Sequence, residues 1–248
     1  MTPDRADKSV ADKTPDRIAG MFDAIAPRYD LLNHVLSAGI DRRWRARAIA
    51  SLNLTGRETL LDVCAGTADV ALEARRESGA ARVVGVDFAG AMLRLGLSKV
   101  RSAGESGRIA LVQGDAMCLP VADGCADAAT VAFGIRNVQH PDVACREIAR
   151  ALRPGGRLAI LEFGVPRLPG VSAAYLWYFR HVLPRLGRVV SGHGAAYSYL
   201  PASVATFPPP GEFMKTLVAA GFTDVRAVPL TLGVVYLYVG TKRGVARG

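Results

Sequence analysis

The sequence predicts an α/β domain with a mostly parallel, seven-stranded sheet, and two features of the chain indicate it. From Glu58 to Phe163, short apolar strands alternate with helical segments, which is the pattern of a parallel sheet covered by helices on both faces. The last two strands, 225–230 and 234–240, are joined by a short turn without a helix. We therefore expect the final strand to run antiparallel to its neighbours.

Each element of this domain has its own signal. The segment 127–133 is largely apolar, as expected for a strand buried on both faces. Asp142 is a suitable N-cap for a helix, and Pro154-Gly155-Gly156 is expected to end it. The full prediction comprises strands at 58–64, 82–87, 109–115, 127–133, 157–163, 225–230 and 234–240, and helices at 70–77, 90–103, 142–152 and 211–220.

Two further segments flank or interrupt this domain. Residues 1–16 are polar and charged and are predicted to be a disordered tail, while 17–56 has apolar residues at helical spacing and is predicted to be a helical lid. Pro27 and Gly39 divide this lid into about three helices. The domain then covers 57–248 and contains an aromatic and basic insertion at 165–210 that suits an apolar substrate drawn from a membrane surface. A helix packed on the domain, with solvated arginines, explains the insertion equally well.

Composition narrows the class of protein. The chain of 248 residues has no run of about 18 apolar residues, so we expect no membrane span and a cytoplasmic location, with peripheral contact at the inner face of the membrane left open. Its four cysteines form no C-x-x-C pair, which argues against a metal site. The net charge of +9 fits nucleic acid or an anionic membrane, but many soluble enzymes carry as much.

The stretch 60–69, Leu-Leu-Asp-Val-Cys-Ala-Gly-Thr-Ala-Asp, predicts a nucleoside site. It reads as a strand that breaks into small residues and opens a helix, so that backbone N–H groups can approach a ligand. Asp87 ends the second strand, where a carboxylate accepts ribose hydroxyls. Asp115 ends the third strand and Ala116 follows it, where an adenine edge needs an acceptor and a backbone N–H.

The residues around this turn argue against a dinucleotide. Only Gly66 is a glycine, so the G-x-G-x-x-G pattern is missing. The acids Asp62 and Asp69 would repel a pyrophosphate but suit an amino group and a sulfonium. We therefore predict S-adenosyl-L-methionine as the cofactor and the class I fold of methyltransferases that use it. The alternative is an ordinary turn between a strand and a helix.

Several stretches, taken together, resemble the ubiquinone/menaquinone biosynthesis C-methyltransferase family of the UbiE/MenG type, over roughly Phe22 to Arg243. Any one of them would be a weak signal, whereas their common order is a strong one. They are Phe22-Asp23-x-Ile25-Ala26-x-x-Tyr29-Asp30-x-x-Asn33, Ser37-x-Gly39-Ile40-x-x-x-Trp44, Phe133-Gly134-Ile135-Arg136-Asn137, Leu152-Arg153-Pro154-Gly155-Gly156-Arg157, Leu161-Glu162-Phe163, His181-Val182-Leu183-Pro184, Tyr197-x-Tyr199-Leu200 and Ala220-Gly221-Phe222.

This resemblance implies C-methylation of a prenylated quinol, demethylmenaquinol to menaquinol, with the benzoquinol of ubiquinone synthesis left open. It implies no nucleic-acid partner, and the oligomeric state stays open, a homodimer included. Arg136 is expected to stabilise a phenolate or hold a water that acts as base, and Tyr29 and Tyr199 to bond the quinol oxygens, although core or lid packing explains either tyrosine equally well. The cofactor-binding residues it implies, with those argued above, are Asp62, Gly66, Thr67, Asp87, Phe88, Asp115, Ala116 and Phe133.

The chain also departs from the family, and other functions remain open. The family usually has glycine at Ala65 and Ala68, histidine at Asp41, and serine at Ala132 and Gly164. One alternative is a methyltransferase of the same fold that acts on RNA, on protein or on another small molecule. A second is a binding protein that has kept the fold but lost transfer. A nicotinamide oxidoreductase comes last, because of the glycine count.

Overall fold

The computed structural model describes residues 13–37, 39–80, 82–166, 170, 172–173, 177 and 195–244. Its helices are α1 (Pro15–Leu36), α2 (Asp41–Ser51), α3 (Asp69–Ser78), α4 (Gly90–Ser102), α5 (Pro141–Ala151), α6 (Ala195–Thr206) and α7 (Pro210–Ala219). Its strands are β1 (Thr59–Val63), β2 (Arg82–Asp87), β3 (Ile109–Gln113), β4 (Ala126–Ala132), β5 (Leu152–Phe163), β6 (Phe222–Leu230) and β7 (Val235–Lys242). Two 3₁₀ turns, Ile135–Asn137 and Thr231–Gly233, follow β4 and β6.

The seven strands form one sheet in the order β3-β2-β1-β4-β5-β7-β6. The strands β1 to β5 pair in parallel, whereas β7 lies between β5 and β6 and is antiparallel to both. The predicted antiparallel final strand is confirmed. Two strands begin three or more residues earlier than predicted because their first residues are fully buried and paired: Leu152 pairs with Ala126, and Phe222 pairs with Lys242.

Helices cover both faces of this sheet, and each face has its own apolar core. One core packs α5 and α7 against the sheet through residues such as Ile148, Phe213 and Leu217. The other packs α2 and α3 against the opposite face through residues such as Trp44 and Val70. The carboxyl ends of β1 to β5 therefore meet at one edge between two rigid layers, which is where ligands bind in open sheets of this kind.

The described residues of the predicted lid form two helices, so the predicted division into about three is wrong. Pro27 lies inside α1 rather than between helices. A proline inside a helix costs stability because it removes one hydrogen bond, so the helix needs support from tertiary packing. That support comes from α4: Ala26 packs with Ala89 and Met92, and the Ala91 N–H donates to Asp23 Oδ1 at 2.9 Å.

Two predictions about the flanking segments fall partly outside the described residues. The predicted tail, 1–16, overlaps the structure only from Lys13, and α1 begins at Pro15. Most of the insertion 165–210 is outside the description, apart from α6 and a few residues before it. No helix within the described part of the chain is long and apolar enough to cross a membrane.

Candidate active site

An open cavity lies at the carboxyl edge of the sheet. Its nucleoside end, defined here by Asp87, Asp115 and Ala116, lies beyond β2 and β3, and its β4 end, defined by Phe133 and Asn137, lies beyond β4. The first helix covers it with apolar side chains. Its wall includes Lys13, Ile18, Phe22, Cys64, Gly66, Asp87, Phe88, Met92, Asp115, Ala116, Phe133, Gly134, Asn137 and Val138.

In the turn after β1, alternate residues have a left-handed backbone conformation. Cys64, Gly66 and Ala68 have φ angles of +58°, +54° and +66°, so every second residue adopts a conformation that disfavours side chains. Ala65, one of the departures from the family, has no such strain, and its methyl group faces strand β2 at Gly85, where a Cβ would lie 3.0 Å away. The chain therefore accommodates Ala65 because its neighbour is a glycine.

Asp87 joins this turn to the end of β2. Its Oδ2 accepts the Gly66 N–H at 2.7 Å and its Oδ1 accepts the Ala89 N–H at 2.8 Å. Burial raises the pKa of Asp87 against the lowering effect of these two bonds. Since each carboxylate oxygen has a further lone pair, the side chain can still accept two hydroxyl groups of a ribose.

Asp115 is held in a similar way at the end of β3. Its Oδ1 accepts the Met117 N–H at 2.8 Å, which leaves Oδ2 to accept from a ligand. The Gln113 side chain donates to the Phe88 carbonyl oxygen at 3.0 Å and so positions the backbone that follows Asp87. Two acids on adjacent strands, both on the cavity wall, suit the ribose and the amino edge of an adenine.

Asp62 lies beneath the cavity rather than on its wall. It is fully buried in β1, where its Oδ1 accepts the Thr130 hydroxyl at 2.9 Å and its Oδ2 has no partner among the described residues. Burial is the main cause that raises the pKa of Asp62 to about 7, and the negative charges of Asp87 and Asp69 add to it. A charged group in this position destabilises the fold unless a cation approaches it.

Thr67 connects the turn to the first helix. Its hydroxyl donates to Asp30 Oδ1 of α1 at 2.6 Å, and the Lys99 ammonium lies 2.8 Å from Asp30 Oδ2 and also bonds Asp69. Thr67 is buried and does not line the cavity. Thr67, which the sequence predicts at the cofactor, therefore also helps to hold α1 in its position over the cavity.

The turn after β4 is held by a buried ion pair. Phe133 adopts φ +60°, an unusual conformation for a bulky side chain, and its ring stacks on Phe163 with centroids 4.7 Å apart. The Arg136 guanidinium donates through Nη1 to the Phe133 carbonyl and to Glu162 Oε1, the latter at 2.8 Å. Glu162 also accepts the Arg136 and Phe163 N–H groups, so its carboxylate organises the whole turn.

The predicted catalytic residues lie at different depths. Arg136 is 6 % exposed and does not line the cavity, and its Nε donates to Ser203 Oγ at 3.3 Å. Tyr199 is also buried behind the wall, where its hydroxyl donates to Asn137 Oδ1 at 3.1 Å. Burial raises the pKa of Tyr199, which keeps that hydroxyl protonated. The Tyr29 side chain lies outside the described part of the structure, although its backbone belongs to α1.

Of the eight predicted cofactor residues, six line the cavity and two, Asp62 and Thr67, lie behind it. Their roles in binding remain predictions. The sequence reasoning did not single out Lys13, Asp30, Asn137 or Glu162 as site residues. Asp30, Asn137 and Glu162 stand in stretches that carry the family resemblance, which is the signal that could have found them. Among the described residues, no three histidine, cysteine or acidic side chains form a metal-binding group.

The wall of the nucleoside end fits S-adenosylmethionine. It offers a carboxylate with free lone pairs for the ribose, a second acid and a backbone N–H for the adenine, and an unpartnered buried acid near the turn where a cationic ligand would lie. The sheet order β3-β2-β1-β4-β5-β7-β6, with such a cavity at its carboxyl edge, is the architecture of the class I methyltransferases that use this cofactor. The chain is an enzyme of this class.

Comparisons with known proteins give the family. Residues 10–242 match the model of the ubiE/COQ5 methyltransferase family, and the chain belongs to this family. It is 50 % identical to the ubiquinone/menaquinone biosynthesis C-methyltransferase UbiE of Syntrophotalea carbinolica, over 90 % of this chain and 92 % of the relative. It is 44 % identical to the demethylmenaquinone methyltransferase of Thermus thermophilus, over 90 % of this chain and 100 % of the relative.

A solved structure agrees with the fold. The chain superposes on a putative S-adenosyl-L-methionine-dependent methyltransferase from Methanococcus maripaludis with a TM-score of 0.63, covering 92 % of this chain and 96 % of the other. The two sequences are 19 % identical, so this likeness concerns the fold alone. The predicted fold class, cofactor and family are confirmed.

Proposed function

We propose that this enzyme methylates a ring carbon of a reduced, prenylated quinol, and that demethylmenaquinol is its substrate. One observation carries the proposal beyond the family: a single cavity joins the two nucleoside acids to apolar side chains of α1 and of the β4 end, among them Ile18, Phe22 and Val138. An aromatic ring with an apolar tail fits such a wall. The names of the two relatives at 50 % and 44 % identity support the same substrate class.

The reaction needs an electron-rich ring carbon placed against an electrophile. S-adenosylmethionine, when bound, supplies a methyl group on a positively charged sulfur. Loss of a hydroxyl proton from the quinol moves electron density onto the neighbouring ring carbons, which makes them nucleophilic. The protein therefore has to orient the ring, exclude water and accept that proton.

The described residues suit the first two tasks. Phe133 and Phe22 face the cavity, and α1 covers its mouth, so the ring would be held between apolar surfaces away from solvent. Asn137 lines the β4 end with its side chain fixed by the Tyr199 hydroxyl. In this proposal Tyr199 and Arg136 act through Asn137 and Phe133, as positioning residues, rather than by direct contact with the quinol.

The insertion 165–210 bears on how the enzyme reaches its substrate. A prenylated quinol resides in lipid, so we infer peripheral contact of the insertion 165–210 with the membrane surface. Trp177, within that insertion, is 60 % exposed, which suits an interfacial aromatic anchor. Flotation with anionic and neutral vesicles tests this inference, and recovery of the protein in the bottom fraction with both vesicle types would contradict it.

A parallel transfer assay tests the substrate. Labelled methyl from S-adenosylmethionine is offered, in detergent, to demethylmenaquinol, to the demethylated benzoquinol precursor and to bulk tRNA. We expect label in demethylmenaquinol, and label in both quinols would broaden the substrate class. Label in tRNA alone would overturn the proposed substrate and favour a nucleic-acid methyltransferase.

A further inference from the structure

Lys13 stands at the β4 end of the cavity, two residues before the start of α1 at Pro15. It lines the same wall as Phe133 and Asn137 and is partly buried. It forms no ion pair with any residue that the structure describes. An ammonium group in an apolar cavity without a carboxylate partner is unfavourable. This arrangement therefore calls for a functional explanation.

The charges around Lys13 place it beside the turn after β4. The side chains that act on it electrostatically are Arg136, from that turn, and Glu162, from the end of β5. The other charged groups on the cavity wall, Asp87 and Asp115, stand at the nucleoside end, beyond β2 and β3. Burial, and secondly the positive charge of Arg136, lower the pKa of Lys13, while Glu162 opposes them. Such surroundings favour a neutral amine, which is a base.

We propose that the Lys13 amine accepts the proton of the quinol hydroxyl and so generates the nucleophile. This inference rests on the proposed function and names the base that the reaction requires. Among the residues that the structure describes, no histidine lines the cavity, and both carboxylates on its wall belong to the nucleoside end. Among the described lining residues, Lys13 is the side chain at the β4 end with the chemistry of a base.

The proton balance closes within one turnover. The hydroxyl O–H bond breaks, its proton joins Lys13 Nζ, and the oxygen keeps the bonding electron pair. After the ring carbon has taken the methyl group, the proton on that carbon leaves to water, and the Lys13 ammonium returns its own proton to the oxygen. The amine is then neutral again, and one proton is released for each methyl transferred.

Three variants test whether the side chain at position 13 acts as a base, as a positive charge or only as an aliphatic filler of the cavity. Lys13→Arg carries a permanent positive charge and cannot act as base at neutral pH, and Lys13→Met keeps the aliphatic stem alone. We expect both to lower kcat by about 100-fold or more with cofactor affinity unchanged. Lys13→Ala should recover activity when small primary amines are added. Normal turnover of Lys13→Arg would overturn the proposal, as would a failure of every amine to restore Lys13→Ala.

A binding measurement keeps this test independent of the methyl acceptor. The probe is 1-naphthol, bound to the protein in the presence of S-adenosylhomocysteine, and its ionisation is followed by absorbance as pH rises. We expect the bound naphthol to ionise at a lower pH in the wild-type protein than in Lys13→Met. Lys215→Met, an exposed position on α7, should titrate like the wild type. If no quinol is methylated, the proposed function fails, whereas equal titration of the wild type and Lys13→Met overturns the role of Lys13.

Discussion

Arg136 and Glu162 form an ion pair, with Nη1 and Oε1 2.8 Å apart, behind the wall of the cavity. Glu162 has no exposed surface, and Arg136 has 6 %. The same guanidinium bonds the carbonyl of Phe133, whose left-handed conformation turns the chain after β4. The pair therefore fixes the β4 end of the cavity, which is a structural task distinct from the direct stabilisation of a phenolate.

Removing the acid of this pair should destabilise the fold strongly. Glu162→Ala leaves a buried guanidinium without its carboxylate, which typically costs 3–5 kcal/mol in the free energy of unfolding. Urea denaturation measures this cost. Glu212→Ala, which removes the exposed partner of Lys215, should cost less than about 1 kcal/mol. Equal losses in the two variants would show that the buried pair does not organise the turn.

Asp87 should determine cofactor affinity. Asp87→Ala removes an acceptor for the ribose hydroxyls, one bond to the turn after β1 and one bond to the backbone after β2, so we expect S-adenosylmethionine to bind about 100-fold more weakly. Isothermal titration calorimetry measures the affinity, and circular dichroism checks that the chain is folded. Asp123→Ala, far out on an exposed loop, is the control. Unchanged affinity in Asp87→Ala would mean that the cofactor site has been misplaced.

Asp62 should make the ligand-free protein less stable as pH rises. Because the pKa of Asp62 is raised from 3.8 to about 7 in the folded state, the folded chain binds this proton more tightly than the unfolded chain. The stabilisation that protonated Asp62 gives to the folded state is therefore fully present below pH 4 and is lost progressively between pH 4 and pH 7. Asp62→Asn does not titrate, so its advantage over the wild type should grow to about 2–4 kcal/mol at pH 8.

Urea denaturation of the ligand-free protein at several pH values between 4 and 8 checks this expectation. Asp123→Asn, an exposed acid, serves as the matched control and should follow the wild type. A constant difference between Asp62→Asn and the wild type across this range would show that Asp62 is ionised throughout.

Gly134 should tolerate no side chain while Cys64 faces it. A Cβ added at Gly134 would lie 2.3 Å from the Cys64 Cβ, so Gly134→Ala forces the turns after β1 and β4 apart. We expect a loss of about 1–3 kcal/mol in unfolding free energy, measured by urea denaturation. Gly107→Ala, where no atom lies within 4 Å of the added Cβ, is the control.

The same contact offers a rescue. Cys64 has φ +58°, which glycine adopts without strain, and Cys64→Gly removes the atoms that Gly134→Ala would meet. The double variant Cys64→Gly/Gly134→Ala should therefore regain most of the stability that Gly134→Ala loses. If the double variant loses as much stability as the two single variants together, the contact between position 134 and Cys64 does not cause the loss in Gly134→Ala.

The sequence patterns predicted the sheet well because local rules govern it. Alternation of strands and helices defines a parallel sheet, and the missing helix before β7 forces the antiparallel pairing. The first helix was harder to predict. Pro27 is a local signal for a break, but packing of Ala26 and Met92 between α1 and α4 supports a continuous helix. Only the tertiary contacts determine that outcome.

The depth of the site residues could not be read from the sequence. Acids such as Asp87 and Asp62 stand in the same type of motif, yet one lines the cavity and the other lies under it. Asp62 points into the sheet towards Thr130, on the neighbouring strand, which no periodicity reveals. The sequence predicts that Arg136 stabilises a phenolate or holds a water that acts as base, which stays a prediction; it does not reveal that Glu162, 26 residues later, pairs with Arg136 behind the wall.

The most direct test of the account is the position of the transferred methyl group. The enzyme is incubated with demethylmenaquinol and S-adenosylmethionine that carries a ¹³C-methyl group, and the product is examined by carbon NMR. C-methylation of the quinol should give a methyl resonance on a ring carbon next to a hydroxyl-bearing carbon. A methyl ether, or label absent from the quinol while the cofactor binds and the protein is folded, would contradict C-methylation of a quinol.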